Sequence, residues 1–333
     1  MMRSLAPFSF RVAILASLPL FATPAAAQIA RPSLESPIAC VVGRTCEIQN
    51  YVDRDPGPGA RDYRCAARTY DAHNGVDIRL PDLAAMTRGV AVLAAAPGRV
   101  VRLRDGEPDR SVRDAPFAPG RDCGNAVAID HGGGWETMSC HLKRGSLKVK
   151  VGDQVKAGQP IAAVGLSGNT EYPHLHLTVF RNRVAVDPFA PDSGRGTCAA
   201  SGALWSPAAG GALTYKAGAV LNTGFADGPV DFRKIDAGVT RPGPPSKAIV
   251  AYARAINLEA GDQTRVTLTG PQGLTKANNG IVPRAQAQNL LFTGLPRPVN
   301  GWPAGRYVGR FQVTRAGRTV LDQRFEMALP ASR

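Results

Sequence analysis

Two histidines one residue apart, His174 and His176, form the densest concentration of imidazole in this 333-residue chain, which has only five histidines. They lie inside Pro173-His174-Leu175-His176-Leu177-Thr178-Val179-Phe180, whose alternation is that of a strand. Residues two apart on a strand point to one face, so both rings project together while Leu175, Leu177 and Val179 pack the opposite side. One ring can then bind a metal while its neighbour addresses a substrate. A second context, His73-Asn74-Gly75-Val76-Asp77, sets an imidazole and a carboxylate with three residues between them. A helix would place both on one face, but Gly75 and the β-branched Val76 and Ile78 suit a loop running into a strand, where a sharp bend still brings them together. Alone, such a pair is common in ordinary structure. The third, His141, follows Ser139-Cys140 at the end of a candidate strand. A lone histidine among apolar neighbours is more often a satisfied core residue than a catalyst. His131, followed by Gly132-Gly133-Gly134, reads as structural, at a turn.

Taken together and in this order, these residues resemble the lysostaphin-type zinc metallopeptidases, or LytM domains, which cut peptide bonds in bacterial peptidoglycan. The resemblance runs over about 40–191 and rests on several linked motifs. They are His73-Asn74-Gly75-Val76-Asp77-Ile78, Ala94-Ala95-Ala96-Pro97-Gly98-Arg99-Val100, Ala128-Ile129-Asp130-His131-Gly132, His141-Leu142, the stretch 151–159, Val164-Gly165-Leu166-Ser167-Gly168 and Pro173-His174-Leu175-His176. The resemblance implies one zinc ion held by His73, Asp77 and His176, with His141 and His174 as the pair beside the metal-bound water. Three protein ligands leave the fourth tetrahedral position open, where zinc lowers the pKa of bound water toward about 7 and polarises the scissile carbonyl. His174 or His141 then accepts the water's proton, and an imidazolium holds the oxyanion or protonates the leaving amine. Two departures bear on substrate positioning: Ser139 stands where the family usually has an aromatic residue, and Leu177-Thr178 where it has Phe-Glu. The alternative from another class is a non-catalytic LytM-like regulator that activates a second wall hydrolase. Such members typically lack ligands, and none is missing here.

The elements that must position these groups read as β-structure throughout, because short apolar or alternating runs recur about every ten residues between glycines and prolines. Candidate strands are 90–95, 99–103, 126–130, 137–142, 160–164 and 175–180, then 249–256, 265–269, 290–293, 306–314 and 319–327. The last two are joined at Ala316-Gly317 as a hairpin. Trp302-Pro303-Ala304-Gly305 leading into Tyr307, with Phe311 and Val313 on one face, resembles the closing strands of an immunoglobulin-like sandwich. All histidines and cysteines fall between Cys40 and Cys198. The expected class is therefore all-β: a LytM-like antiparallel catalytic domain over 28–198, a Gly/Ala/Pro-rich connection over 199–245, and a smaller immunoglobulin-like β-sandwich over 246–333.

Residues 1–27 read as a signal peptide. Arg3 and Arg11 flank a positive start without acids, 12–22 is almost wholly apolar but too short to span a bilayer, and Ala25-Ala26-Ala27 offers a cleavage site before Gln28. The expected location is periplasmic or secreted, without a membrane span after signal removal. Six cysteines in an exported chain read as disulfides. Cys40 and Cys46 flank a turn and Cys123 and Cys140 flank two strands, so local pairing is expected for both, which leaves Cys65 with Cys198. Cysteine-ligated zinc lacks any C-x-x-C. The formal charge of +14 falls to +12 without Arg3 and Arg11. The expected partner is therefore polyanionic: peptidoglycan or another anionic cell-envelope polymer. Nucleic acid is not expected, since no basic segment is interleaved with stacking aromatics.

Overall fold

Glycine turns punctuate the chain into antiparallel ribbons. Gly132, Gly133 and Gly134 all take positive φ (81°, 58° and 79°), which a glycine adopts without steric penalty. They join the strands Asn125–Gly132 and Trp135–Leu142, with Asp130 opposite Glu136. This is a computed structural model, and it describes residues 31–331 apart from 199 and 217. The expected signal peptide lies outside the described residues. No helix among them is long and apolar enough to cross a membrane.

The first region is built on an eight-stranded sheet. Its order is Glu47–Asn50, Val76–Arg79, His174–Arg181, Trp135–Leu142, Asn125–Gly132, Gly98–Arg104 and Gln154–Val155, with Val184–Val186 pairing the far end of His174–Arg181. Every pairing is antiparallel. Val76, Ile78, Leu175, Leu177, Val179 and Ile129 are buried in one core. The order puts the three histidine contexts on neighbouring strands. Asp77 lies opposite His176 on one side, and Cys140, the residue before His141, lies opposite His176 on the other. Three disulfides close this region: Cys40–Cys46, Cys65–Cys198 and Cys123–Cys140.

The stretch 199–245, read as a connection, divides between the two regions. Leu204, Trp205, Ala209 and Leu213 enter the first core, around a short helix, Pro207–Ala212, whose N-cap Ser206 accepts from Ala209 N. The strand Ala219–Ala226 then pairs with Ala248–Leu258. Together with Gln286–Pro296 these make a three-stranded sheet, facing a four-stranded one ordered Thr275–Ile281, Gln263–Thr269, Gly305–Arg315, Arg318–Leu329. The two sheets share a core in which Tyr307, Phe311 and Val313 are wholly buried, alongside Ala251 and Ala253 from the other sheet. Tyr307 donates its hydroxyl back to the Pro303 carbonyl at 2.9 Å, the feature that marks the corner entering a closing strand of immunoglobulin-like sandwiches. The Ala316-Gly317 turn has positive φ at both positions (47° and 76°), as a two-residue hairpin with right-handed strand twist requires.

Strands with little apolar signal escaped the sequence reading. Glu47–Asn50 is buried throughout although three of its four residues are polar. Thr275–Ile281 is almost wholly exposed. The helix Leu83–Arg88 spans six residues, too short to show a period, and depends on Asp82 capping Ala85 N.

Candidate metal centre

The site forms where the central strand meets its two neighbours on the face away from the core. His176 Nδ1 lies 2.9 Å from Asp77 Oδ1 and 3.2 Å from His73 Nε2. His73 Nε2 lies 3.2 Å from Asp77 Oδ2, and His174 Nε2 lies 3.4 Å from Asp77 Oδ1. The His141 ring centroid is 4.6 Å from that of His174 and 5.9 Å from that of His176. All five residues named as candidates in the sequence therefore meet. His131 does not join them; its ring is held by the Pro97 carbonyl and the Thr137 hydroxyl.

The outward nitrogen of each ring is decided by what holds the other one. His73 Nδ1 donates to the Tyr51 carbonyl (2.6 Å), His141 Nδ1 to the Ser167 carbonyl (2.8 Å) and His174 Nδ1 to the Tyr172 carbonyl (3.0 Å). A backbone carbonyl only accepts, so each of these rings carries a proton on Nδ1 and, when neutral, leaves Nε2 bare. His176 is reversed: Nε2 faces Thr178 Oγ1 (3.0 Å) and Asn74 Oδ1 (3.2 Å), and Nδ1 faces the cluster. Asn50 Nδ2 donates to Asp77 Oδ2 at 2.8 Å. Such partners orient ligands and fix their tautomer. Thr178, one of the two departures noted in the sequence, thus holds His176.

Gly75 explains how a histidine and a carboxylate with three residues between them converge outside a helix. A Cβ there would stand 2.5 Å from His176 Nε2 and 2.8 Å from the Leu177 carbonyl, so the chain passes closer to the central strand than any other residue permits. His141 sits at φ 57°, an uncommon conformation for a residue other than glycine. Its N–H donates to the Cys123 carbonyl at 2.8 Å, and the adjoining Cys123–Cys140 disulfide ties the same two segments together.

The electrostatics follow from burial. Burial would raise the Asp77 carboxyl, yet His73 and His174 beside it outweigh that and hold it well below the usual range. Burial would lower His73, and Asp77 overrides it to leave the ring raised. His141 is pushed well down by burial and then by His174 and His176. Burial also lowers His176, against the pull of Asp77. Two groups of donor atoms each lie within 4.8 Å of one another, His73 with Asp77 and His176, and His141 with His174 and His176. Of these residues His73, His141 and His176 line a cleft of about 300 Å³, together with Tyr70, Asn74, Asp122, Met138 and Asn169. Tyr51, Ser167 and Tyr172 were invisible to sequence reasoning because they act through carbonyls, which every residue has.

Residues 71–188 match the model of peptidase family M23. This stretch is an M23 domain. The chain is 32% identical over 120 residues to the peptidoglycan DD-endopeptidase ShyB of Vibrio cholerae, covering 36% of this chain and 23% of that protein. It is 45% identical over 65 residues to the murein hydrolase activator EnvC of Escherichia coli, covering 20% of this chain and 15% of that one. Among solved structures, a zinc-containing peptidase from Vibrio cholerae is similar at 27% identity and TM-score 0.28, over 42% of this chain and 38% of the other. The chain thus spans less than a quarter of the length of each of these two curated relatives.

Proposed function

We propose that this protein is an exported zinc metalloendopeptidase that hydrolyses peptide bonds in peptidoglycan cross-links. The observation that carries the reading is the convergence of ring nitrogens of His73, His174 and His176 on the Asp77 carboxylate, each ring held by a fixed partner on its other side. His73 Nε2, His176 Nδ1 and an Asp77 oxygen would hold the ion; two nitrogens and a carboxylate oxygen are the donor set of open catalytic zinc sites. Zinc bound there supplies Lewis acidity, which polarises a carbonyl and acidifies water.

The chain's own residues do the rest. His141 and His174, each held at Nδ1 by a backbone carbonyl, stand beside the donor set, and a neutral imidazole there accepts a proton from the attacking water. The ring that has taken the proton becomes a donor, suited to a developing oxyanion or to the leaving amine. Asn50 keeps Asp77 aligned, and Thr178 and Asn74 hold the Nε2 side of the His176 ring so that Nδ1 faces Asp77.

The similarity to ShyB supports the substrate class, and the basic charge suits an anionic wall polymer. Three disulfides and the signal-like start support a periplasmic or secreted location. The topology and the Tyr307 corner support an immunoglobulin-like reading of the sandwich. A second reading, a regulator of another hydrolase, is favoured by the similarity to EnvC. The complete donor set weighs against it. Mass spectrometry of muropeptides after incubation with the zinc-loaded protein, with an EDTA control, separates the two: new peptide ends that vanish with EDTA support the enzyme, and their absence overturns it.

A further inference from the structure

The seam between the M23 domain and the sandwich carries buried charge that leads to the site. Arg79 closes the strand that bears Asp77, two residues on and so on the same face, and it lies directly opposite His174. It is 1% exposed, rare for a guanidinium. Its Nη1 donates to Gln49 Oε1 at 3.1 Å, its Nη2 lies 3.9 Å from Asp236 Oδ1, and its Cζ lies 3.8 Å from the centroid of the Tyr172 ring.

Tyr172 in turn touches the site at three points. Its carbonyl takes the Nδ1 proton of His174, its ring stands 5.1 Å from the His174 ring, and its hydroxyl lies 3.5 Å from the Asn50 amide that holds Asp77. From the other side, Asp236, on the sandwich-side helix Phe232–Ala237, receives Arg254 Nη1 at 2.7 Å. Arg254 is wholly buried. It also donates to Asn222 Oδ1 at 2.7 Å and to the Pro81 carbonyl, which accepts from Asn222 as well. Two buried guanidiniums thus share one carboxylate beside the chain segment that leaves the site. An apolar seam would hold two domains together without their desolvation penalty, so joining the domains does not by itself explain this arrangement.

We propose that Asp236 and Arg254 of the sandwich hold Arg79 against Tyr172, and that this contact sets the orientation of His174 and of the Asn50–Asp77 pair. Arg79 is a positioning residue, and the site is completed across the domain boundary. Only the kinetic part of its test rests on the peptidase reading. The test compares Arg79→Met and Arg79→Lys with Glu259→Gln. Glu259→Gln breaks the ion pair between Arg68 of the M23 side and Glu259 of the sandwich and leaves Tyr172 alone.

Ring-nitrogen NMR of the 15N-labelled protein, metal-free and zinc-loaded, reads the His174 tautomer, and muropeptide release reads kcat and KM. In Arg79→Met the Nδ1 resonance of His174 moves toward the tautomer-averaged position, and kcat falls about tenfold, the usual effect of losing an outer partner, with KM within about twofold. Arg79→Lys, which keeps the buried charge but not the planar face over the ring, shifts His174 less and in the same direction. Glu259→Gln leaves His174 in place. Unchanged His174 resonances in folded Arg79→Met overturn the proposal, as does an equal shift in Glu259→Gln. Should Arg79→Met not fold, Arg79→Lys decides alone by the same resonances. A wild-type protein that releases no muropeptide sinks the peptidase reading, while the His174 resonances still judge this one.

Discussion

The M23 domain and the sandwich are both antiparallel β-structures, yet they use their polar residues in opposite ways. In the M23 domain one face of the sheet buries His73, Asp77, His141 and His174, all under a tenth exposed, and each has a fixed partner. In the sandwich the shared core is apolar and, apart from Arg254 at the seam and Asp262 paired with Arg315, its charges lie outside, as in the ladder of Arg306 with Glu326 and Arg310 with Asp322 across the Gly305–Arg315 and Arg318–Leu329 strands. A buried polar group costs free energy unless it is hydrogen-bonded, whereas an exposed ion pair contributes little either way. Where a fold keeps polar groups buried and individually satisfied, it keeps them for a geometry, and that geometry is the place to look for function.

The comparison breaks first at the donor set. His176→Ala and Asp77→Ala should each lose zinc and activity together, to background. His174→Ala should keep stoichiometric zinc and lose turnover by about 10²–10⁴-fold, the range for a proton-transfer group. Metal analysis beside muropeptide release checks this, and zinc retained in His176→Ala would exclude it as a ligand.

A smaller effect tests whether close backbone approach builds the site. Gly75→Ala pushes a Cβ into His176 and the Leu177 carbonyl, and zinc affinity should weaken about 10–100-fold, as when a ligand loses its alignment. Competition with a fluorescent chelator measures it, and an unchanged affinity would mean the strands part freely.

The pH dependence sharpens the same contrast. His73 stays charged to higher pH than a free imidazole because Asp77 lies beside it, while burial favours the neutral form of His141 and His176. Zinc must displace the His73 proton, so affinity should fall by roughly tenfold per pH unit as pH drops below the raised His73 value. Calorimetry in two buffers of different ionisation enthalpy should report a proton released near neutral pH; none released would contradict the His73 assignment.

Away from its seam with the M23 domain, the sandwich should answer only in stability. Phe311→Ala removes a wholly buried ring and should cost about 3–5 kcal/mol, with zinc binding intact. Arg310→Met breaks an exposed pair and should leave the thermal melt unchanged. A Phe311→Ala protein that also loses zinc would show that packing deep in the sandwich reaches the site.

Much of this was legible in the residues themselves. The two-residue period of His174-Leu175-His176 is a local property of a strand, so their shared face could be read before any fold was known. The same holds for the hairpin at Ala316-Gly317 and for the apolar face of Tyr307, Phe311 and Val313. Glu47–Asn50 was not legible, because its polar residues are buried by partners more than 25 positions away, such as Asp77 for Asn50 and Lys216 for Glu47.

From sequence alone came the side-chain chemistry, the β-class and the likeness that implied a metal site, since residue type and local period are written one position at a time. Only the tertiary structure decided that Asp77 and Cys140 flank His176, that three backbone carbonyls choose the ring tautomers, and that a guanidinium held from the sandwich lies over Tyr172. Those are relations between distant stretches of chain, made by strand order and by backbone groups that are the same in every residue.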